Sequence, residues 1–394
     1  MPAHPWRREP YRILFPIGAA LGVFAVLPFV FRGAGGGSLA LFHSIAQIQG
    51  FLTCFVVGFL FTFVPRRTGT PPPAGWELAA AVVLPVAAVT GAWLDEGMFP
   101  YAAWLALVAI VLTFTLRRLR RGSAREAVPA VFVWVPVSLA AGAAGAVLAA
   151  AAPPVASGVP LAWTIGRGLL VQGLVAGLVL GVGGFLVPQL TRGEAATEAS
   201  DPATRRRALA WHLLAALAFF ASFPVESLLD YRLGVGLRAA VASAVLLLVA
   251  RIHRPPTVRG LHRWLVWLGA WLVPLGFWMG AMVPRLRGAA LHVLFVGGFA
   301  QLALAVATHV ALSHGGREDR LVASPRSLRV MAALLAAAFG GRILAGIDRS
   351  HVASWLSVAG MAFTGAVTAW AVLVVPALRL SAPARARERP SREP

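Results

Sequence analysis

The sequence predicts an all-α membrane protein of twelve transmembrane helices, and three observations predict it. Charged residues make up 13% of the 394 residues, against about 25% in soluble domains. Apolar runs close to the ~20 residues that a spanning helix needs recur twelve times along the chain. The 35 basic residues are all Arg and fall between those runs. That spacing reads as membrane topology, and it sets aside a nucleic-acid surface in spite of a net charge of +20. A single cysteine, Cys54, excludes an intrachain disulfide and any Cys-based zinc or iron–sulfur site.

The runs justify themselves in order. Residues 11–31 follow Arg7 and Arg8 as a signal peptide would. No A-x-A cleavage site follows and eleven more runs do, so this is read as the first span. The second, 38–64, opens with the polar stretch FHSIAQIQGF. A polar group costs free energy in hydrocarbon unless it faces protein. His43, Gln47, Gly50, Cys54 and Gly58, at steps of three or four, should form one inward stripe. The third run, 76–94, begins at Glu77, the fourth is 98–116, and the fifth is 127–151. The sixth, 162–190, carries Arg167 and the glycines 173, 177 and 181, whose GxxxG spacing favours close helix approach. The seventh, 207–224, stops short of Glu226 and Asp230, and the eighth is 234–252. The ninth, 264–283, follows a loop that is expected to hold His253 and His262. The tenth, 287–313, opens near His292; the eleventh, 328–346, contains Arg342; the twelfth, 353–377, follows His351.

Arginine placement orients the bundle. The N-terminus, the even-numbered loops and the C-terminal tail hold 27 of the 35 Arg, and the odd-numbered connections, Arg32 and Arg238 among them, hold six. The positive-inside rule then places both termini in the cytoplasm. The expected organisation is a cytoplasmic N-terminus over 1–10, a transmembrane domain over 11–377, and an Arg-rich cytoplasmic tail over 378–394 that is too polar and too charged to fold. Runs two, six and ten are the longest and share a polar head, a Gly-containing middle and a Pro- or Gly-rich end, which suggests three pseudo-repeated four-helix units.

Chemistry is carried by few groups. His43 and His292 lie about one turn inside the outer ends of runs two and ten, at matched depth. Imidazoles from two facing helices suit haem iron; the alternative is a histidine bonded to a carbonyl at a helix end. His309 and His314 near the cytoplasmic end and His351 in the last outer connection are the weaker metal candidates. Arg167 and Arg342 are the two cations placed within helices, where each either pairs with an anion such as a haem propionate or snorkels to the surface. No carboxylate is expected at mid-depth, which weighs against a proton-coupled transporter. Copper has the poorer donor set, since only the loop residue His351 supplies a third outer imidazole.

Three segments carry a resemblance. The run FHSIAQIQGFLTCFVVGFLFTFVPRRTGTPPPAGWELA resembles the signature helix of the NnrS family of bacterial membrane proteins. There a His-rich opening precedes a GF pair, a long apolar run and a V-P-x-x-T-G end. LHVLFVGGFAQLALAVATHVALSHGGR is similar to that family's second signature and GGFLVPQLTRG to a looser third. The resemblance implies a twelve-span protein of the bacterial inner membrane that contains haem and copper and is linked to the nitric oxide response. Its expected partners are the lipid bilayer and respiratory or denitrification membrane proteins, with no nucleic acid. By analogy alone, the layout is also similar to that of the haem–copper oxidases, where helices two and ten supply axial histidines. The family opening H-x-H-E stands here as His43-Ser44-Ile45-Ala46, without the second His and the Glu, and His309 stands where an Arg is usual. A site built on that missing pair is not available to this chain. A small-molecule or ion transporter and an assembly partner of a respiratory complex are the other classes that the composition allows.

Overall fold

The structure is a computed structural model that describes residues 5–32, 37–95, 97–122, 128–154, 158–194 and 201–379. The tail expected over 378–394 lies, from residue 380 on, outside the described residues, as do His4 and Glu96. Twelve described helices are long and apolar enough to cross a membrane. The first four are α1 (Tyr11–Phe31), α2 (Ser38–Thr68), α3 (Gly75–Trp93) and α4 (Phe99–Arg121). The next four are α5 (Ala130–Ala151), α6 (Leu161–Arg192), α7 (Pro202–Leu228) and α8 (Tyr231–Leu248). The last four are α9 (Leu261–Met282), α10 (Pro284–His314), α11 (Arg326–Ile347) and α12 (Arg349–Leu378). No strand occurs among the described residues.

The helices repeat one arrangement three times. In each group of four, the first helix packs along the second and the third pairs with the fourth. The fourth helix of each group also packs on the first helix of the next: α4 on α5, α8 on α9, and α12 back on α1, so the ring closes. The second helices match in detail. They are 31, 32 and 31 residues long. Each contains a π-helical stretch: Ala46–Leu52 in α2, Gly168–Gly173 in α6 and Val293–Ala300 in α10. Each is followed by a left-handed glycine, Gly69, Gly193 and Gly316, at φ 66°, 72° and 65°, a conformation open to residues without Cβ. The π stretches widen the backbone ring, as at Thr53, whose backbone N–H donates to the Ile48 carbonyl five residues back, which also accepts from the Thr53 hydroxyl at 2.7 Å. Such segments are rare and concentrate at functional sites.

Close packing settles several expectations. A Cβ on Gly177 or Gly181 would press into Ser138 or Trp134, and one on Gly173 into Phe223, so the GxxxG stripe of α6 is a packing surface. Cys54 and Gly58 fit against Gly18 and Phe15 of α1, so the lower part of the α2 stripe is also helix–helix contact. Two placements differ from the sequence reading. His262 is inside α9 and fully buried instead of lying in the preceding loop, because the helix begins at once after Gly260. Arg238 is fully buried within the bundle and does not flank an outer connection; an ion pair, described below, holds it there.

At the arginine-rich end, Arg12 Nη1 donates to the carbonyls of Ala377, Leu378 and Arg379 at 3.3, 2.8 and 3.1 Å. A cation there satisfies the carbonyls that the end of α12 leaves free. Arg12 Nε binds Glu9 at 2.6 Å, and Arg66 of α2 donates to Glu9 at 3.1 Å and to His314 Nε2 of α10 at 2.8 Å. Burial raises the Glu9 pKa, but the two guanidiniums outweigh it and hold the carboxyl below its ordinary value.

Candidate functional site

The polar head of α2 finds its partners on α1. Pro28 lacks an N–H, and α1 breaks at Ala25–Val26. The Phe29 N–H turns to Val26, which leaves the Ala25 carbonyl for another donor. His43 Nδ1 lies 3.0 Å from that carbonyl, and Gln47 Nε2 donates to the Gly22 carbonyl at 2.9 Å. On α10, His292 Nδ1 sits 2.7 Å from the Gly288 carbonyl. A carbonyl only accepts, so in both rings Nδ1 carries the proton and Nε2 keeps its lone pair. Arg342 Nη2 also approaches His292 Nδ1, at 3.2 Å. One nitrogen cannot donate to the carbonyl and accept from the guanidinium at once, and the shorter contact decides.

His43, His292, Arg167 and Arg342 all line one cavity of about 630 Å³. It lies where α2, α6 and α10 enter their π stretches, and the rings of Phe51, Phe223, Phe277, Phe295 and Phe363 form much of its wall. This is the size and lining of a cofactor site, mostly apolar with a few placed polar groups. The position that holds a histidine on α2 and α10, one to three residues before the π stretch, holds Arg167 on α6. Arg287 adds a third cation. Arg342 Nε is buried without a hydrogen-bond partner.

The family model described as NnrS protein matches residues 5–381. The chain belongs to the NnrS family. Among curated proteins none matches it. In this NnrS-family chain the sequence reading missed the acidic side of the cavity. Glu226, read as a boundary residue, lines the cavity and is ion-paired with Arg238. Arg238 Nη1 donates to Gln172 Oε1 at 2.8 Å, and its guanidinium lies 3.9 Å from the Phe223 ring centre. One signal was available: Glu226 and Arg238 sit on consecutive spans near the same membrane face.

The other described histidines stay apart from the cavity. His309 Nδ1 is 3.3 Å from His262 Nε2, and the two rings stack at 5.4 Å. His314 accepts from Arg66, and His351 binds Asp348 at 3.0 Å. His212 accepts from Trp134 Nε1 at 3.2 Å. Among the described residues no three His, Cys, Asp or Glu side chains converge.

Proposed function

We propose that this protein holds a haem in the cavity between α2, α6 and α10, where His43 and His292 would hold its iron. One observation carries the proposal. Two imidazoles on corresponding helices line a single cofactor-sized cavity, each with Nδ1 fixed by a carbonyl and Nε2 free. Metal-binding histidines characteristically tie their other ring nitrogen in this way. The cationic side fits as well, since Arg342 lines the cavity with an unpartnered Nε, and a guanidinium is suited to bidentate bonds with carboxylates. Arg167 is the second candidate for the same role. When bound, haem supplies one-electron redox chemistry at its iron. The chain's own part is to orient the two imidazoles, neutralise the propionates and keep bulk water away with a phenylalanine wall. Copper remains a weaker proposal, because the donors to complete its shell would have to come from His309, His314 or His351, which bond elsewhere.

Family membership and arginine placement support the physiological setting proposed with it: a bacterial inner-membrane protein with both termini cytoplasmic and the cavity toward the outer face. Its role would be in the nitric oxide response or respiratory redox metabolism, beside respiratory or denitrification proteins. The test is an absorption spectrum with a pyridine haemochrome assay on protein purified from haem-replete cells. Haem close to one per chain is expected. A colourless protein would overturn the proposal and leave the transporter or assembly reading in its place.

A further inference from the structure

His292 Nδ1 has two neighbours that cannot both be satisfied. The Gly288 carbonyl oxygen lies 2.7 Å away and Arg342 Nη2 lies 3.2 Å away. A carbonyl needs a proton on that nitrogen, and a guanidinium N–H needs its lone pair. The two contacts therefore belong to two tautomers of one neutral ring. With the proton on Nδ1, Gly288 is bonded and the Nε2 lone pair is free. With the proton on Nε2, Arg342 is bonded and Nε2 has no lone pair to offer a metal. His43 has no such choice: the Ala25 carbonyl, 3.0 Å from its Nδ1, is its one hydrogen-bond partner among the described residues.

The shorter contact favours the first tautomer and leaves Arg342 without an acceptor. Its Nη2 then faces an N–H, and its Nε is buried without a partner. Among the described residues it has no other hydrogen bond and no ion pair. A cation so placed in a membrane protein is destabilising unless something of opposite sign meets it. Two remedies are within its reach. It can claim the lone pair of His292 Nδ1, or it can take an anion from the cavity that both residues line. Glu226, the carboxylate on that wall among the described residues, is already paired with Arg238, so the anion has to arrive with a ligand. A carboxylate is the planar, two-oxygen acceptor that matches a guanidinium.

We propose that a ligand carboxylate, bound by Arg342, sets the tautomer of His292. Once Arg342 is paired with the carboxylate it stops competing for Nδ1. The proton then stays on Nδ1 with Gly288, and the Nε2 lone pair is free. The ring loses a proton at Nε2 and gains one at Nδ1 through solvent, so its charge does not change. Without the carboxylate both tautomers are populated, and the Nε2-protonated share cannot take a metal there. The carboxylate shifts that population. Arg342 is thus a positioning residue, and assembly is ordered: carboxylate first, metal second. The inference deepens the function proposed for this cavity, but the switch itself needs only the carboxylate and no iron.

The test is nitrogen-15 NMR of the full, haem-free chain in detergent, labelled at histidine, at about pH 8, where an ordinary imidazole is neutral. Spectra of His292→Ala and His43→Ala assign the two rings. Saturating succinate should lower the Nε2-protonated share of His292 by about fivefold, the shift that one net hydrogen bond commands, and leave His43 unmoved. Arg342→Met should hold His292 in the Nδ1-protonated form with or without succinate. Arg342→Lys, which keeps the charge, should respond at higher succinate concentrations. Metal-free protoporphyrin should act as succinate does, and its dimethyl ester should not. A response to succinate alone would keep the switch and assign it to a free organic acid instead of a porphyrin. A His292 tautomer that succinate leaves unchanged in the wild type would overturn the switch, whether or not the protein binds haem. So would a succinate response that persists in Arg342→Met, which would mark an adventitious additive only. A wild type that switches but never takes up haem would remove the haem reading and leave this inference standing.

Discussion

Replacing Glu226 with Gln probes the one acidic group on the cavity wall among the described residues. Arg238 is fully buried, and Glu226 is its only anionic partner among the described residues. Its remaining contacts are Gln172 Oε1 and the Phe223 and Phe277 rings, while its Nε is unpartnered. Removing one member of a buried pair costs about 3–5 kcal/mol, because the other charge is left uncompensated. Glu226 keeps 23% exposure, and the Gln amide oxygen still accepts a hydrogen bond. Both facts place Glu226→Gln near the low end, about 3 kcal/mol. Arg238→Met should cost less, about 2 kcal/mol, because Glu226 then faces the cavity and is free to take a proton. The double variant should resemble Arg238→Met alone, with a coupling energy of about 3 kcal/mol in magnitude. The assay is reversible unfolding in mixed detergent micelles, followed by tryptophan fluorescence. Additive effects of the two substitutions, or single losses below about 1 kcal/mol, would refute the buried-pair reasoning.

Other outcomes follow from the same structure. Gly145→Ala should destabilise by about 1–3 kcal/mol, because its Cβ would sit 2.6 Å from the Gly166 carbonyl oxygen and 2.8 Å from Leu170 N, and backbone does not yield as a side chain does; thermal melting reads this, and a neutral substitution would contradict the α5–α6 contact. Glu9 faces Tyr11 and Arg12 of α1, Arg66 of α2 and His314 of α10, and its pKa is held below the ordinary value of 4.5. A depressed carboxyl contributes stability that is present above its unfolded pKa and lost as pH falls through the folded one. Acid unfolding below about pH 4.5 should therefore be less steep in Glu9→Gln, and an unchanged profile would remove Glu9 from the account. Reporter fusions after residues 120 and 200 should behave as cytoplasmic and one near residue 96 as periplasmic, as the arginine bias requires; periplasmic behaviour at 120 would invert every assignment of depth.

Helices and their repetition were legible because they rest on composition and spacing. Twelve apolar runs and the recurrence of Gly50-Phe51, Gln172-Gly173 and Gly298-Phe299 survive in any rotation of a helix about its axis. The π stretches were not legible, since a single-residue shift of phase inside Ala46–Leu52 leaves no mark in an apolar run. That shift explains why His43 and Gln47 face the cavity while Gly58 packs on Phe15 of α1. Arg238 was misplaced for a different reason. An arginine seven residues into α8 reads as a snorkelling surface group until the neighbouring span supplies a carboxylate, and pairing across spans is a three-dimensional fact. His262 was lost to the same boundary effect, one residue past the start of α9. Of the cavity, His43, His292, Arg167 and Arg342 came from pattern, whereas Glu226, Gln172 and Arg287 needed the fold.

The central claim is that His43 and His292 hold one ligand between them. The most direct measurement is the visible absorption spectrum of the purified wild type beside His43→Ala, His292→Ala and His253→Ala, the last of these an exposed residue away from the cavity. The account predicts a Soret band that weakens or shifts in both cavity variants and is unchanged in His253→Ala. A haem spectrum unchanged from wild type in His43→Ala and in His292→Ala would contradict it.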